Sequence, residues 1–240
     1  MKYILIAAVA IVAVAATGGG YACYLNQTKS AYVIMVDITD DTPSNIDTSE
    51  VPKHIAQKSS EWAETDIRVS TFSNFRNNKI AMLTIPAQFP LLGNPEQRKR
   101  KLQIGYRQIL DTLDNFVSSD TGRSQSVIYA PMAEQLNWLA DITAHTKEAF
   151  FYSDCQQNTN AFSLYKSSDV QQVINDPGRV KAYFEKQVSL HSLKGITVYF
   201  IYNAPTPLVE SRFILMANLW GEIFKAHGAT YVIGTNLSTN

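Results

Sequence analysis

The fold of this chain is decided by residues 32–41, which read YVIMVDITDD. Residues 32–36 are an uninterrupted apolar run rich in β-branched side chains, a pattern typical of a strand buried in a parallel sheet. Asp37, Thr39 and Asp41 then place a carboxylate, a hydroxyl and a second carboxylate at alternate positions. Ligands of open α/β sheets bind at the carboxyl ends of the strands. The stretch predicts either a strand end that presents hard oxygen donors or an acidic turn that closes the strand.

The composition indicates one globular core and excludes several classes of function. The chain has 240 residues, 45% of them hydrophobic, and a formal net charge of zero. Balanced charge argues against a nucleic-acid-binding protein, which would carry a basic surplus. Cys23 and Cys155 are too few for a disulfide framework, and no CxxC, HExxH or glycine-rich phosphate loop is present. The sequence therefore gives no support to a zinc, redox or nucleotide site.

The N-terminus has the features of a targeting segment, and residues 1–22 are predicted to be a signal peptide or a membrane anchor. Lys2 precedes an apolar stretch over residues 3–16, which three glycines then interrupt. Small residues ahead of Cys23 resemble a bacterial lipoprotein box, so Cys23 is a candidate for lipidation, although Tyr21 is bulky for that motif. Cleavage without lipidation and an uncleaved anchor stay open. Each outcome predicts an exported protein, and lipidation or an uncleaved anchor would attach it to the membrane of the bacterial cell envelope, which is the localisation we expect.

The rest of the chain alternates between strand and helix patterns, with a short tether at 23–30 and one domain at 31–240. The predicted strands are residues 32–36, 67–72, 79–85, 149–152, 195–202 and 229–233, and the predicted helices are residues 47–64, 96–117, 127–146, 177–190 and 208–227. The connection between the second and third strands is so short that these strands must form an antiparallel hairpin. We therefore expect an α/β fold of three layers, with a doubly wound, mostly parallel sheet and one antiparallel edge strand.

Three separate segments carry oxygen donors to the expected carboxyl edge of that sheet. The candidate metal ligands are Asp37, Thr39, Asp41, Ser124, Ser126 and Asp154. Each has a simpler alternative role, since the serines precede a helix that they could cap and Asp154 could close a turn. Carboxylates gathered at one point repel each other, and a bound cation such as Mg²⁺ is the simplest way to hold them together.

The order of these segments resembles the von Willebrand factor type A domain, whose metal-ion-dependent adhesion site combines DxSxS with a later threonine and an aspartate. The resemblance covers residues 31–236. Residues 33–41 resemble the first strand and metal loop of the family, and residues 151–154 resemble its strand that ends in the last metal aspartate. Residues 126–132 are similar to its T-x-L-Y-x-x-L segment, with Ser126 in the place of the threonine and Ser124 as competitor. The resemblance implies a Rossmann-like fold, a divalent cation and a protein partner.

The sequence departs from the family pattern within the first metal loop. Thr39 keeps the hydroxyl of the first serine, but Asp41 replaces the second serine with a carboxylate. If Asp41 binds the ion, the protein itself neutralises the charge that would attract the carboxylate of a partner. The alternatives are therefore a metal-dependent docking site and a scaffold whose metal site is degenerate.

Two classes of function follow. The first is a non-enzymatic, exported module that binds a protein partner in the cell envelope, with no nucleic acid as partner and no catalytic residue. The alternative is a metal-dependent phosphohydrolase with Asp37 as nucleophile, although Thr39 stands where that chemistry needs a second acid. The side chains of Tyr129, Tyr152, Phe162 and Tyr165 are better suited to core packing than to anchoring a partner. The histidines at 54, 145, 191 and 227 are predicted to lie at the surface or at helix ends.

Overall fold

A computed structural model describes residues 28–38, 48–72, 79–91, 93–118 and 126–237. The strands are β1 (Ser30–Asp37), β2 (Thr65–Phe72), β3 (Ile80–Ile85), β4 (Thr146–Tyr152), β5 (Ile196–Ile201) and β6 (Thr230–Gly234). The helices in these ranges are α1 (Glu50–Lys58), α2 (Pro95–Val117), α3 (Tyr129–Asp141), α4 (Ser167–Asn175), α5 (Pro177–Glu185) and α6 (Pro207–Ala226).

The six strands form a single sheet in the order β3-β2-β1-β4-β5-β6. β1 lies at the centre and is parallel to both β2 and β4, whereas β3 pairs with β2 in the antiparallel sense. The predicted three-layer, doubly wound sheet with one antiparallel edge strand is therefore confirmed. The chain order reverses between β1 and β4, which makes their carboxyl ends the topological switch point where α/β proteins bind ligands.

Helices cover both faces of the centre of the sheet, and this explains why β1 is apolar along its whole length. Its side chains alternate between two cores. Tyr32, Ile34 and Val36 lie in the core with α1 and α2, while Ala31, Val33 and Met35 lie in the core with α3, α5 and α6. Every residue of β1 is buried, so the strand fixes the position of the carboxylate that ends it.

Several element boundaries differ from the predicted ones, and one helix was not predicted. The helix expected at residues 127–146 is the shorter α3, because residues 146–148 pair with β1 and begin β4 three residues earlier than predicted. The polar stretch before residue 177 contains the additional helix α4, which the sequence did not predict. Only Val173 of α4 is buried, so an apolar period was too weak to indicate it.

Arg98 differs from the other residues of the basic run at 98–101, because its side chain is 0% exposed. The guanidinium donates hydrogen bonds to the backbone carbonyls of Glu61 at 2.5 Å, Pro86 at 2.6 Å and Ala63 at 3.0 Å. Arg98 therefore ties α2 to two loops, while the remaining three residues of the run are exposed.

None of the helices in the described ranges combines the length and the apolar character that a bilayer crossing requires. The predicted targeting segment, residues 1–22, and the candidate lipidation site Cys23 lie outside the described residues.

Candidate functional site

The carboxyl ends of β1 and β4 meet as predicted, and a direct hydrogen bond joins them. Ser153, the residue after β4, donates from Oγ to Oδ2 of Asp37 at 2.6 Å. Both side chains are buried, with Asp37 5% and Ser153 3% exposed. The register places Val36 of β1 opposite Tyr152 of β4, so each strand delivers its next residue to the same point of the edge. The Asp37 carboxylate is thus held in one orientation inside the protein.

The residues that follow Ser153 form a turn stabilised by side-chain hydrogen bonds. The backbone N–H of Cys155 donates to Ser153 Oγ at 2.9 Å, so this hydroxyl bridges the turn and Asp37. Asp154 accepts hydrogen bonds from the backbone N–H and the side-chain amide of Gln156, at 2.9 and 2.8 Å. Asp154 therefore closes the turn, which is the simpler of its two expected roles, and it directly follows Ser153 in the chain.

Cys155 is a buried thiol in this turn. Cys155 is 0% exposed. Burial raises the pKa of its thiol well above the ordinary value, and the negative charges of Asp154 and Asp37 raise this pKa further. A thiol of this kind stays protonated at neutral pH and is neither a nucleophile nor a metal ligand. Its backbone has a φ of 61°, and its carbonyl accepts a hydrogen bond from Trp220 Nε1 at 3.1 Å.

The loop after Asp154 also fixes the start of α3. The backbone groups of Ser126 and Asn158 exchange hydrogen bonds at 2.9 and 2.8 Å. Gln157 accepts the backbone N–H groups of Ile128 and Tyr129 on its Oε1, at 2.8 and 3.3 Å. The expected capping role of Ser126 is therefore wrong, because a side chain distant in sequence satisfies the helix terminus that Ser126 was expected to cap.

Three of the six candidate ligands can be placed. Asp37 and Asp154 come from the adjacent ends of β1 and β4, and Ser126, 8% exposed, pairs with the loop that follows Asp154. Thr39, Asp41 and Ser124 lie outside the described residues. In the part of the chain that the structure describes, no group of three histidine, cysteine, aspartate or glutamate side chains could hold a metal ion. The donors present are carboxylate and hydroxyl oxygens, which fit Mg²⁺ in type.

Sequence reasoning missed two residues of this edge, Ser153 and Gln157. Ser153 directly precedes the candidate ligand Asp154. Its position between an apolar strand and an acidic residue was the sequence feature that could have indicated it. Gln157 gave no signal, because its contact with α3 joins positions 29 residues apart.

The aromatic residues near this edge belong mainly to the core, as expected. Tyr129, Tyr152 and Phe162 are buried, whereas Tyr165 is 57% exposed. Among the histidines, His54 contradicts its expected surface position, because it is 5% exposed and its Nε2 lies 2.9 Å from Glu148 Oε2. Sequence alone could not find this pair, since α1 brings His54 to the sheet from 94 positions away.

Comparisons with known proteins found a similarity of fold and no similarity of sequence to a known family. No family model and no curated protein matches it. The structure is similar to that of the D319A mutant of the PilB minor pilin from Streptococcus sanguinis, with a TM-score of 0.50 and 12% identity over 88% of this chain and 58% of the pilin chain. A second solved structure, human COPII-coat protein Sec24c, has a TM-score of 0.41 and 7% identity over 88% of this chain and 30% of that chain. The likeness to the pilin shows a shared fold, and the likeness to Sec24c carries no argument.

Proposed function

We propose that this protein is an exported, membrane-attached binding module that docks a protein partner at the carboxyl edge of its sheet. The observation that carries the proposal is the 2.6 Å hydrogen bond between Ser153 and the buried carboxylate of Asp37, with Asp154 next in the chain. Acidic and hydroxyl side chains from distant parts of the sequence share this edge, at the switch point of the sheet.

A divalent cation is the second part of the proposal. Asp37, Ser126 and Asp154 are the described residues that would hold it, and Thr39, Asp41 and Ser124 would complete the set. Oxygen donors of this kind suit Mg²⁺, and the ion would supply positive charge between carboxylates that otherwise repel each other. The resemblance of the motifs to the von Willebrand factor type A domain supports the same proposal.

The surroundings of the edge suit docking because they are held in place before a partner arrives. Gln157 ties the turn after β4 to α3, and Trp220 of α6 binds the carbonyl of Cys155. A site that is already ordered loses less conformational entropy when a partner binds. Recognition by loops on such a rigid frame is common in proteins.

Titration of the full chain with Mg²⁺ by isothermal calorimetry tests the proposed cation. We expect binding to the wild type and its loss in Asp37→Asn, which keeps the shape of the side chain and removes its charge. Asp141→Asn is the matched control, because Asp141 ends α3 at the opposite end of the helix from Ser126 and is an exposed carboxylate. Loss of binding in both variants, or no binding by the wild type, would contradict a site at this edge.

Crosslinking and purification of the full chain from its own cell envelope, with Mg²⁺ or with EDTA, tests the docking role. We expect one protein partner that is recovered with Mg²⁺ from the wild type and from Asp141→Asn, and that is lost with EDTA or in Asp37→Asn. A partner retained equally in EDTA and in Asp37→Asn would instead support a scaffold with a degenerate metal site.

A further inference from the structure

We propose that a pocket between α4 and α5 binds an apolar side chain that stands next to a carboxylate in an exposed segment of the protein partner. This inference rests on the proposed function, because it names the chemistry of the partner that would dock at the neighbouring edge. The pocket is a cavity of about 130 Å³ lined by Ala161, Phe162, Gln172, Arg179, Val180 and Tyr183.

The floor of the pocket is apolar and rigid. Phe162 and Val180 are 5% and 3% exposed. The Phe162 ring lies edge-on to the ring of Phe184, with centroids 5.1 Å apart, and Tyr183 packs edge-on to the same ring at 5.0 Å. Because the rings of Phe162 and Phe184 are already held in the core, an apolar side chain can be buried against this floor without reordering the protein.

Arg179 gives the pocket its charge preference. Its side chain is exposed, and within the described ranges no acidic group lies at ion-pair distance from the guanidinium. The nearby carboxylate of Asp176 accepts the backbone N–H of Arg179 at 3.2 Å, as the cap of α5. The guanidinium is therefore available for a ligand, and its planar donors can hold both oxygens of a carboxylate.

The pocket presents side chains of the types that are common at protein interfaces. Tyr183, which is 41% exposed, and the exposed Arg179 both line it. Aromatic residues and arginine are the types enriched where proteins bind each other. A protein segment is therefore a better occupant than a free small molecule.

The loop after β4 joins the pocket to the candidate site through its backbone. Asn158 pairs with Ser126 on one side and with Ser163 on the other, and Ser163 directly follows the pocket residue Phe162.

The test uses a rhodamine-labelled peptide, GSFDSG, whose binding to the full chain is followed by fluorescence anisotropy in EDTA. GSFNSG is the matched peptide without the carboxylate. We expect Arg179→Gln to weaken binding of GSFDSG by about tenfold or more, the effect of losing one charge-assisted contact. Arg100→Gln, an exposed arginine on the helix that covers the other face of the sheet, should leave binding unchanged.

GSFNSG should bind the wild type as weakly as GSFDSG binds Arg179→Gln. Equal binding of the two peptides, equal binding by wild type and Arg179→Gln, or no binding of either peptide would overturn the proposed pocket. Because the assay contains EDTA, its failure is distinguishable from that of the proposed cation. If the peptide binds but Mg²⁺ does not, only the proposed cation site is contradicted. If Mg²⁺ binds but the peptide does not, only the proposed pocket is contradicted.

Discussion

Two histidine–carboxylate pairs have the same length and very different surroundings. His54 and Glu148 lie 2.9 Å apart with side chains 6% and 9% exposed, while His191 and Asp141 lie 2.9 Å apart with side chains 52% and 67% exposed. The rings of Phe150 and Tyr199 flank His54, and the Tyr199 hydroxyl donates to Glu148 at 3.3 Å. Distance alone therefore says little about what each pair contributes to stability.

We expect His54→Gln to lower the free energy of unfolding by about 1–3 kcal/mol, because it removes the shorter of two hydrogen bonds to the buried Glu148 side chain. His191→Gln, the matched control, should change it by less than about 1 kcal/mol, since water solvates both groups of the exposed pair. Urea denaturation followed by circular dichroism measures both variants. Equal effects would show that burial does not distinguish the two pairs.

At the scale of single elements, the start of α3 depends on a residue that is not its neighbour in sequence. α6 begins in the usual way, with Thr206 accepting the N–H of Val209 at 3.3 Å. α3 has no side-chain cap of its own, and Gln157 supplies the acceptor from the loop after β4. One amide side chain therefore joins the helix to the turn at the candidate site.

We expect Gln157→Ala to destabilise the protein by about 1–2 kcal/mol, the ordinary cost of losing a helix cap. It should also speed amide hydrogen exchange both at the start of α3 and in residues 153–158, because the loop loses its attachment. Thr206→Ala is the control, with a similar loss of stability but faster exchange at the start of α6 alone. Exchange in Gln157→Ala confined to α3 would contradict a link between helix and loop.

At the scale of the whole molecule, the sequence predicted those features that depend on local pattern. The apolar run of β1, the short hairpin connection and the period of α2 were sufficient to predict a mostly parallel sheet with one antiparallel edge strand. The burial of His54 and Arg98 was not predictable, because each depends on partners from other elements. At the candidate site, the approach of Asp37 to the segment of Asp154 followed from the parallel strands, whereas the hydrogen bonds of Gln157 required the folded loop.

The stability of the whole domain should decrease at alkaline pH because of the Cys155 thiol. Burial raises the pKa of this thiol in the folded state, and the charges of Asp154 and Asp37 raise it by a smaller amount. The unfolded chain ionises its thiol near pH 8.5, so the contribution is fully present below that pH and is lost as the pH rises. We expect the free energy of unfolding to fall more steeply above about pH 8.5 in the wild type than in Cys155→Ala, by at most about 1.4 kcal/mol per pH unit.

Urea denaturation between pH 7 and pH 10 measures this difference. Both proteins carry Cys23→Ser, so that the Cys155 thiol is the one thiol by which they differ. Parallel pH profiles would show that the Cys155 thiol ionises alike in the folded and unfolded chain.

The contact between Asp37 and Ser153 can form only late in the synthesis of the chain. These two residues are 116 positions apart. A ribosome that adds roughly 5–20 residues per second needs roughly 6–23 s to make the intervening chain. Until residue 153 has been made, the first strand lacks at least the lateral neighbour that β4 provides. The edge that contains Asp37 and Ser153 is consequently a late product of folding.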